Sequence, residues 1–231
     1  MPHAEVDLTP IEALGPRTAE TARWCVERAK ALGASAACAE ASFDRGLSVG
    51  TRMGDPESIE HTEESVLVVN VWKGDRLGAA STSDFSEAAL EQAVRAALQI
   101  ASHAKSDPAS GLPNEADLAT AFPDLSLHHP YAGTAEDAFA MLARAEAAAF
   151  AFDPAIQNSE GARFDTSEGV FTLANSLGFC AGYPYGRHSI DCWPIASGPA
   201  GDAERDGWWC ESRTMAGLMA PEALGRKAAE R

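Results

Sequence analysis

The 231-residue sequence predicts an α+β fold: antiparallel sheets covered by helices in a two-layer arrangement, with a second β-meander region. The hydrophobic period is helical up to Gly33, alternates through about Thr82, turns helical again at Ser86, and is strand-like from about residue 155. With 45% hydrophobic residues the chain can fill a core of this kind.

Residues 1–17 hold three prolines and no periodic pattern, and read as a flexible arm. From Thr18 to Leu32, Ala22, Cys25, Val26, Ala29 and Leu32 recur at helical spacing, with Thr18 as cap and Gly33 as stop. Residues 37–43 and 47–53 alternate on either side of Asp44-Arg45-Gly46, which predicts a hairpin turning there. A second hairpin turns at Lys73-Gly74-Asp75-Arg76. Ser86 opens a helix carrying Leu90, Val94, Leu98 and Ala101, and residues 105–133, with four prolines, form a long connection. Thr134 and Asp137 have capping-box spacing ahead of an alanine-rich helix to Phe150. Five short strands are expected between 155 and 213, followed by a helix with Pro221 in its first turn. That helix lacks a stop signal, so the natural polypeptide is expected to continue past Arg231. The domain expectation is an arm (1–17), an α+β region (18–130) and a helix-plus-meander region (131–231) leading to a further domain.

The balance of 18 Lys+Arg against 34 Asp+Glu, a formal charge of −16, leaves no basic patch for nucleic acid or anionic membrane. No secretory leader or membrane span is evident, and five scattered cysteines without a Cys-x-x-Cys pair read as reduced thiols, so a cytoplasmic location is expected.

Catalytic signatures are absent from the sequence. There is no His-Glu-x-x-His, Gly-x-Ser-x-Gly or phosphate-binding loop. His128-His129 read as a surface loop beside Pro130, and Asp202, Glu204 and Asp206 as a solvated turn. Cys180 and Cys192 are small core residues or, in an independent hydrolase, candidate nucleophiles. No catalytic or metal-ligating residue is assigned. Within QNSEGARFDTSEGVFTLANSLGFCAGYPYG (157–186), Ser-Glu-Gly occurs twice. Gly169 reads as a turn with positive φ, Gly161 as a bulge, and Glu160 and Glu168 as outside any chemistry. Gly178, Gly182 and Gly186 recur every four residues, so on one extended strand they share a bare face. They are the candidate peptide or partner contact, the alternative being unrelated turn glycines in a bent strand.

The segments GLSVGTRMGDPESIEHTEESVLVVNVWKGDRLGAASTSDFS, FPDLSLHHPY and IQNSEGARFDTSEGVFTLANSLGFCAGY, in that order, resemble the N-terminal domain of the PmbA/TldD family, in its PmbA (TldE) branch. That resemblance implies a cytoplasmic, zinc-dependent peptide-cleaving assembly. In it a TldD-type subunit carries a His-Glu-x-x-x-His motif and a PmbA-type subunit pairs with it; a self-pair is the other expectation. It implies zinc in the assembled complex, no zinc residue within this sequence, and a chamber-forming, non-catalytic role here. The alternative is a peptide- or partner-binding scaffold without enzymatic activity.

Overall fold

Helices α1 (Ile11–Ala31), α2 (Glu87–His103), α3 (Ala135–Phe150) and α4 (Pro221–Ala229) accompany strands β1 (Ala36–Arg52), β2 (Asp55–Lys73), β3 (Arg76–Thr82), β4 (Ile156–Asn175), β5 (Cys180–Ser197), β6 (Ala203–Arg205) and β7 (Trp208–Ser212). The computed structural model describes residues 9–198 and 201–231. Strand order is β3-β2-β1-β4-β5-β6, with β7 also on β5. The pairings β2–β3, β5–β6 and β5–β7 are antiparallel. The chain is α+β, as expected. It divides into two compact units interleaved along the sequence, so no single chain position separates them: 1–44, 63–126 and 169–185 form unit 1, and 45–62, 127–168 and 186–231 form unit 2.

In unit 1, α1 and α2 cover the sheet. Ala37, Ala39 and Ala41 of β1 alternate inward with Leu67, Val69 and Val71 of β2, against Cys25 and Val26 of α1 and Val94 and Leu98 of α2. Alanines on β1 leave room for the helices to lie close. Arg28 of α1 makes paired bonds to Glu91 of α2 at 2.5 and 2.8 Å, which hold the Glu91 carboxyl down at about 2.

Helix α1 begins seven residues before Thr18. Residues 1–8 of the expected arm lie outside the described residues, but from Ile11 the chain is helical and runs through Pro16. Pro16 removes a donor near the helix start, and burial of Ile11 and Leu14 with Phe43 and Val170 outweighs that loss. Thr18 is therefore not a cap. Its hydroxyl bonds Gly15 O and Thr172 Oγ1 at 3.0 and 2.8 Å.

Unit 2 has its own core: Ala138, Leu142, Ala145 and Ala149 of α3 and Leu224 and Ala228 of α4 pack on Val49, Phe164, Ile190 and Cys192. Thr134 and Asp137 form the anticipated capping box, with bonds of 2.9 and 3.2 Å. Glu146, 1% exposed in the middle of α3, accepts from Thr51 Oγ1 (2.9 Å), Met53 N (3.1 Å) and Gly54 N (2.9 Å). It thereby holds the β1–β2 turn, where Met53 has φ of 56° and Gly54 of 83°.

Two expected turns are not turns. Asp44-Arg45-Gly46 lies inside the continuous strand β1, and the hairpin reverses at Met53-Gly54 instead. Glu168-Gly169 lies inside β4, and Gly169 lacks positive φ; the five short strands are mainly two long ones. Turn chemistry and a polar stretch of a long strand use the same residue types, and here the polar side chains bond across strands. The Lys73–Arg76 turn, the Ser86 cap and Pro221 at the start of α4 are where the sequence places them. Along β2, residues 55–64 carry five acidic side chains, and the pairing with β3 begins only at Leu67.

Candidate functional site

The β4–β5 hairpin of unit 1 turns over 175–179, where Asn175 Oδ1 accepts from the backbone of Leu177 (2.9 Å) and Phe179 (3.2 Å). Gly178 lies in that turn with φ of 89°, before β5 begins at Cys180. Gly178, Gly182 and Gly186 thus do not share a strand face. A Cβ at Gly182 would overlap Phe171 O and lie 2.6 Å from Thr172 Oγ1, so the backbone that approaches it is strand β4 of the same unit. In unit 2, Gly186 lies against Ser167 O, and its N–H donates to Leu127 O at 2.9 Å.

Two of the three glycines do border open space. Gly178 lines a groove of about 410 Å³ with Arg23 and Lys30 of α1 opposite Asn175 and Phe179. Gly182 lines a second, of about 270 Å³, with Glu12 and Arg23 opposite Tyr183 and Pro184. Both are lined by residues of α1 and of the β4–β5 hairpin.

In unit 2, Glu168 is bonded by Arg45 and by His128 Nε2 (2.7 Å), all with side chains less than one fifth exposed. The neighbouring His188 is 1% exposed. Its Nε2 bonds His129 O at 2.9 Å, so Nε2 donates, and Nδ1, 2.9 Å from Thr166 Oγ1, accepts. Burial lowers the pKa of His188 and keeps it in this neutral form. The His128-His129 segment is a loop, as expected from sequence, and its bonds to Glu168 and His188 tie it to the sheet. Glu168 is an interior ion-pair partner, which sequence reasoning missed; no local pattern announces a bond across 123 residues to Arg45.

A groove of about 400 Å³ in unit 2 is lined by Glu57, Arg163, Asp191, Trp193 and Arg205, with Gly50 and Gly161. Burial raises the Asp191 carboxyl to about 6, despite a 2.9 Å bond from Trp193 Nε1. The alternation of Asp191 and Trp193 with buried Ile190 and Cys192 was visible in the sequence; the groove it serves was not. Because the folded pKa is raised from the ordinary carboxylate value to about 6, the native state binds the extra proton, and this group's contribution to stability is lost as pH rises from about 4 to about 6. Asp191→Asn is expected to be more stable than the parent by about 1–2 kcal/mol at pH 7.5, with the gain vanishing near pH 4. Urea unfolding at the two pH values checks this, and an equal difference at both would refute it.

Cys25 and Cys192 are buried, with burial pushing both thiols up to about 12, so neither is an activated nucleophile. Cys180 lines both unit 1 grooves, as does Arg23. Among the described residues no three His, Cys, Asp or Glu side chains are grouped to hold a metal ion, so these residues do not fit a zinc site. No described helix is long and apolar enough to cross a membrane.

Two family models match. The PmbA/TldA metallopeptidase domain 1 covers residues 41–101, and the central domain of the same metallopeptidases covers 128–231. The chain is similar to the metalloprotease PmbA of Escherichia coli O157:H7, 39% identical over 186 residues, which are 80% of this chain and 41% of the relative. It is 34% identical over 231 residues to a PmbA homologue of Haemophilus influenzae, all of this chain and 51% of that one. The chain thus spans about half the length of these relatives. A crystal structure of a modulator of DNA gyrase from Bacteroides thetaiotaomicron superposes with a TM-score of 0.85 at 20% identity, over 94% of this chain and 50% of that one. For TldE from Thermococcus kodakarensis the TM-score is 0.74 at 13% identity, over 91% and 46%. The segment order that suggested the resemblance is the order of these two domains, and the chain belongs to the PmbA/TldD metallopeptidase family.

Proposed function

We propose that this chain forms a non-catalytic, chamber-enclosing part of a subunit in a cytoplasmic zinc metallopeptidase complex that cleaves unfolded peptides. It pairs with a TldD-type subunit or with a second copy of itself. The observation that carries the reading is the match to both domain models of one metallopeptidase family. Zinc is assigned to residues outside those described, since no described cluster suits it. The test is cleavage of an unfolded peptide by the whole purified protein, alone and mixed with a TldD-type partner, with a chelator and after zinc is restored. Cleavage only in the mixture, lost to chelator and recovered with zinc, is expected. Cleavage indifferent to chelator would sink the metallopeptidase reading, and zinc-dependent cleavage by the protein alone would sink the non-catalytic role.

The second reading, a peptide- or partner-binding scaffold without enzymatic activity, is favoured by Gly178 and Gly182 bordering the unit 1 grooves. Peptide binding by the mixture without cleavage under any metal condition would select it.

A further inference from the structure

The unit 2 groove has a chemistry more specific than a peptide channel requires. Asp191 and Trp193 project from β5 on the face opposite the core that holds Ile190 and Cys192. The Trp193 indole is fixed twice: its N–H donates to Asp191 Oδ1 at 2.9 Å, and the Gly207 backbone packs so closely on the ring that a Cβ there would overlap it.

Charge around the groove is unbalanced. Among the lining residues, Glu57, Glu160 and Asp191 face Arg163 and Arg205, and Arg205 is bonded to Glu160 at 2.5 Å. The surplus is acidic, so a cation is the complementary guest. Asp191 already accepts from the Trp193 indole at 2.9 Å. What remains of its acceptor capacity suits a one-point donor such as an ammonium better than a two-pronged guanidinium. The Trp193 side chain lines the same groove, and a volume of about 400 Å³ admits a short extended segment.

We infer that this groove holds a primary ammonium group of an extended peptide, a lysine side chain or a free N-terminus, on the Asp191 carboxylate with Trp193 as its wall. The inference rests on the proposal that the complex handles unfolded peptides and names the feature of the peptide that is recognised.

Four versions of one unstructured ten-residue peptide with a single lysine test this by titration calorimetry on the whole protein. They are unmodified, acetylated at the N-terminus, acetylated at the lysine, and acetylated at both. Chelator is present throughout, so that cleavage plays no part. The doubly acetylated peptide is expected to bind at least about tenfold more weakly than the unmodified one, the worth of one charge-assisted bond. The singly acetylated forms tell which amine occupies the site. Asp191→Asn, checked for folding by its melting curve, is expected to lower affinity for the unmodified peptide about tenfold and to leave the doubly acetylated one unchanged. Trp193→Phe keeps a ring and removes the indole N–H, and is expected to weaken binding less. As Asp191 takes up its proton below about pH 6, affinity for the amine should fall; Glu57, Glu160 and Asp165, with Arg163 and Arg205, are the other charges facing it. Equal binding of the unmodified and doubly acetylated peptides, no effect of Asp191→Asn, or no binding of any version would overturn the inference. Amine-dependent binding without zinc-dependent cleavage would instead overturn the proposed activity and leave the groove assignment standing.

Discussion

Glu146→Ala is expected to destabilise unit 2 by about 3–5 kcal/mol, among the largest effects of any single change. The carboxylate is 1% exposed and is the acceptor for the Thr51 hydroxyl and the N–H groups of Met53 and Gly54. Deleting it strands the buried Thr51 hydroxyl, removes the acceptor from the partly buried N–H groups of Met53 and Gly54, and leaves a cavity in the buried face of α3. It also releases the left-handed Met53, whose φ of 56° needs an external hold. Glu146→Gln keeps an acceptor oxygen and should lose less, about 1–2 kcal/mol. Urea unfolding followed by tryptophan fluorescence measures both. An alanine variant within 1 kcal/mol of the parent would mean that the turn does not depend on this carboxylate.

The second large effect concerns Gly182. Valine there would drive its branched carbon into Phe171 O and Thr172 of β4, and the strand pair must open or shift, costing about 3 kcal/mol or more. For a chain of 231 residues, that corresponds to a melting temperature lower by about 6–12 °C. Gly178→Asn is the matched control. Nothing lies within 4 Å of a Cβ there, and asparagine tolerates the left-handed backbone, so the loss should stay below about 1 kcal/mol. If Gly182→Val melts like the parent and only peptide binding suffers, the glycine serves the groove and the close approach of β4 is not what selects it.

These two positions also show how far the sequence could be read. Local signals with a single structural meaning carried through: the Thr134–Asp137 box, the Ser86 cap and the glycine at 74 in the β2–β3 turn. Signals with two meanings failed. Asp44-Arg45-Gly46 has the composition of a turn, yet Arg45 reaches Glu168 and Asp44 accepts from the Tyr185 hydroxyl, partners far along the chain. Equal spacing of Gly178, Gly182 and Gly186 implied a common face only on the premise of one unbroken strand, and the turn at 175–179 removes that premise. For the candidate site, strand alternation could place Asp191 beside Trp193, but the approach of Glu57 and Arg205 depends on strand order, which no local window contains. Glu146 follows Ala138 and Leu142 at four-residue spacing on the buried stripe of its helix, but that the β1–β2 turn supplies its donors depends on contacts far along the chain.

The acidic run of β2 has a consequence for solution behaviour. Between Asp55 and Glu64 its backbone has no β3 partner, the kind of strip along which sheets of separate molecules zip together. Asp55, Glu57, Glu60, Glu63 and Glu64 give two approaching copies like charges along that strip, while Pro56 withholds one backbone donor. This guard is electrostatic and has a range of about 10 Å in 0.1 M salt, shrinking to about 3 Å at 1 M. Association through this strip is thus expected to rise with ionic strength, and light scattering across a salt series reads it.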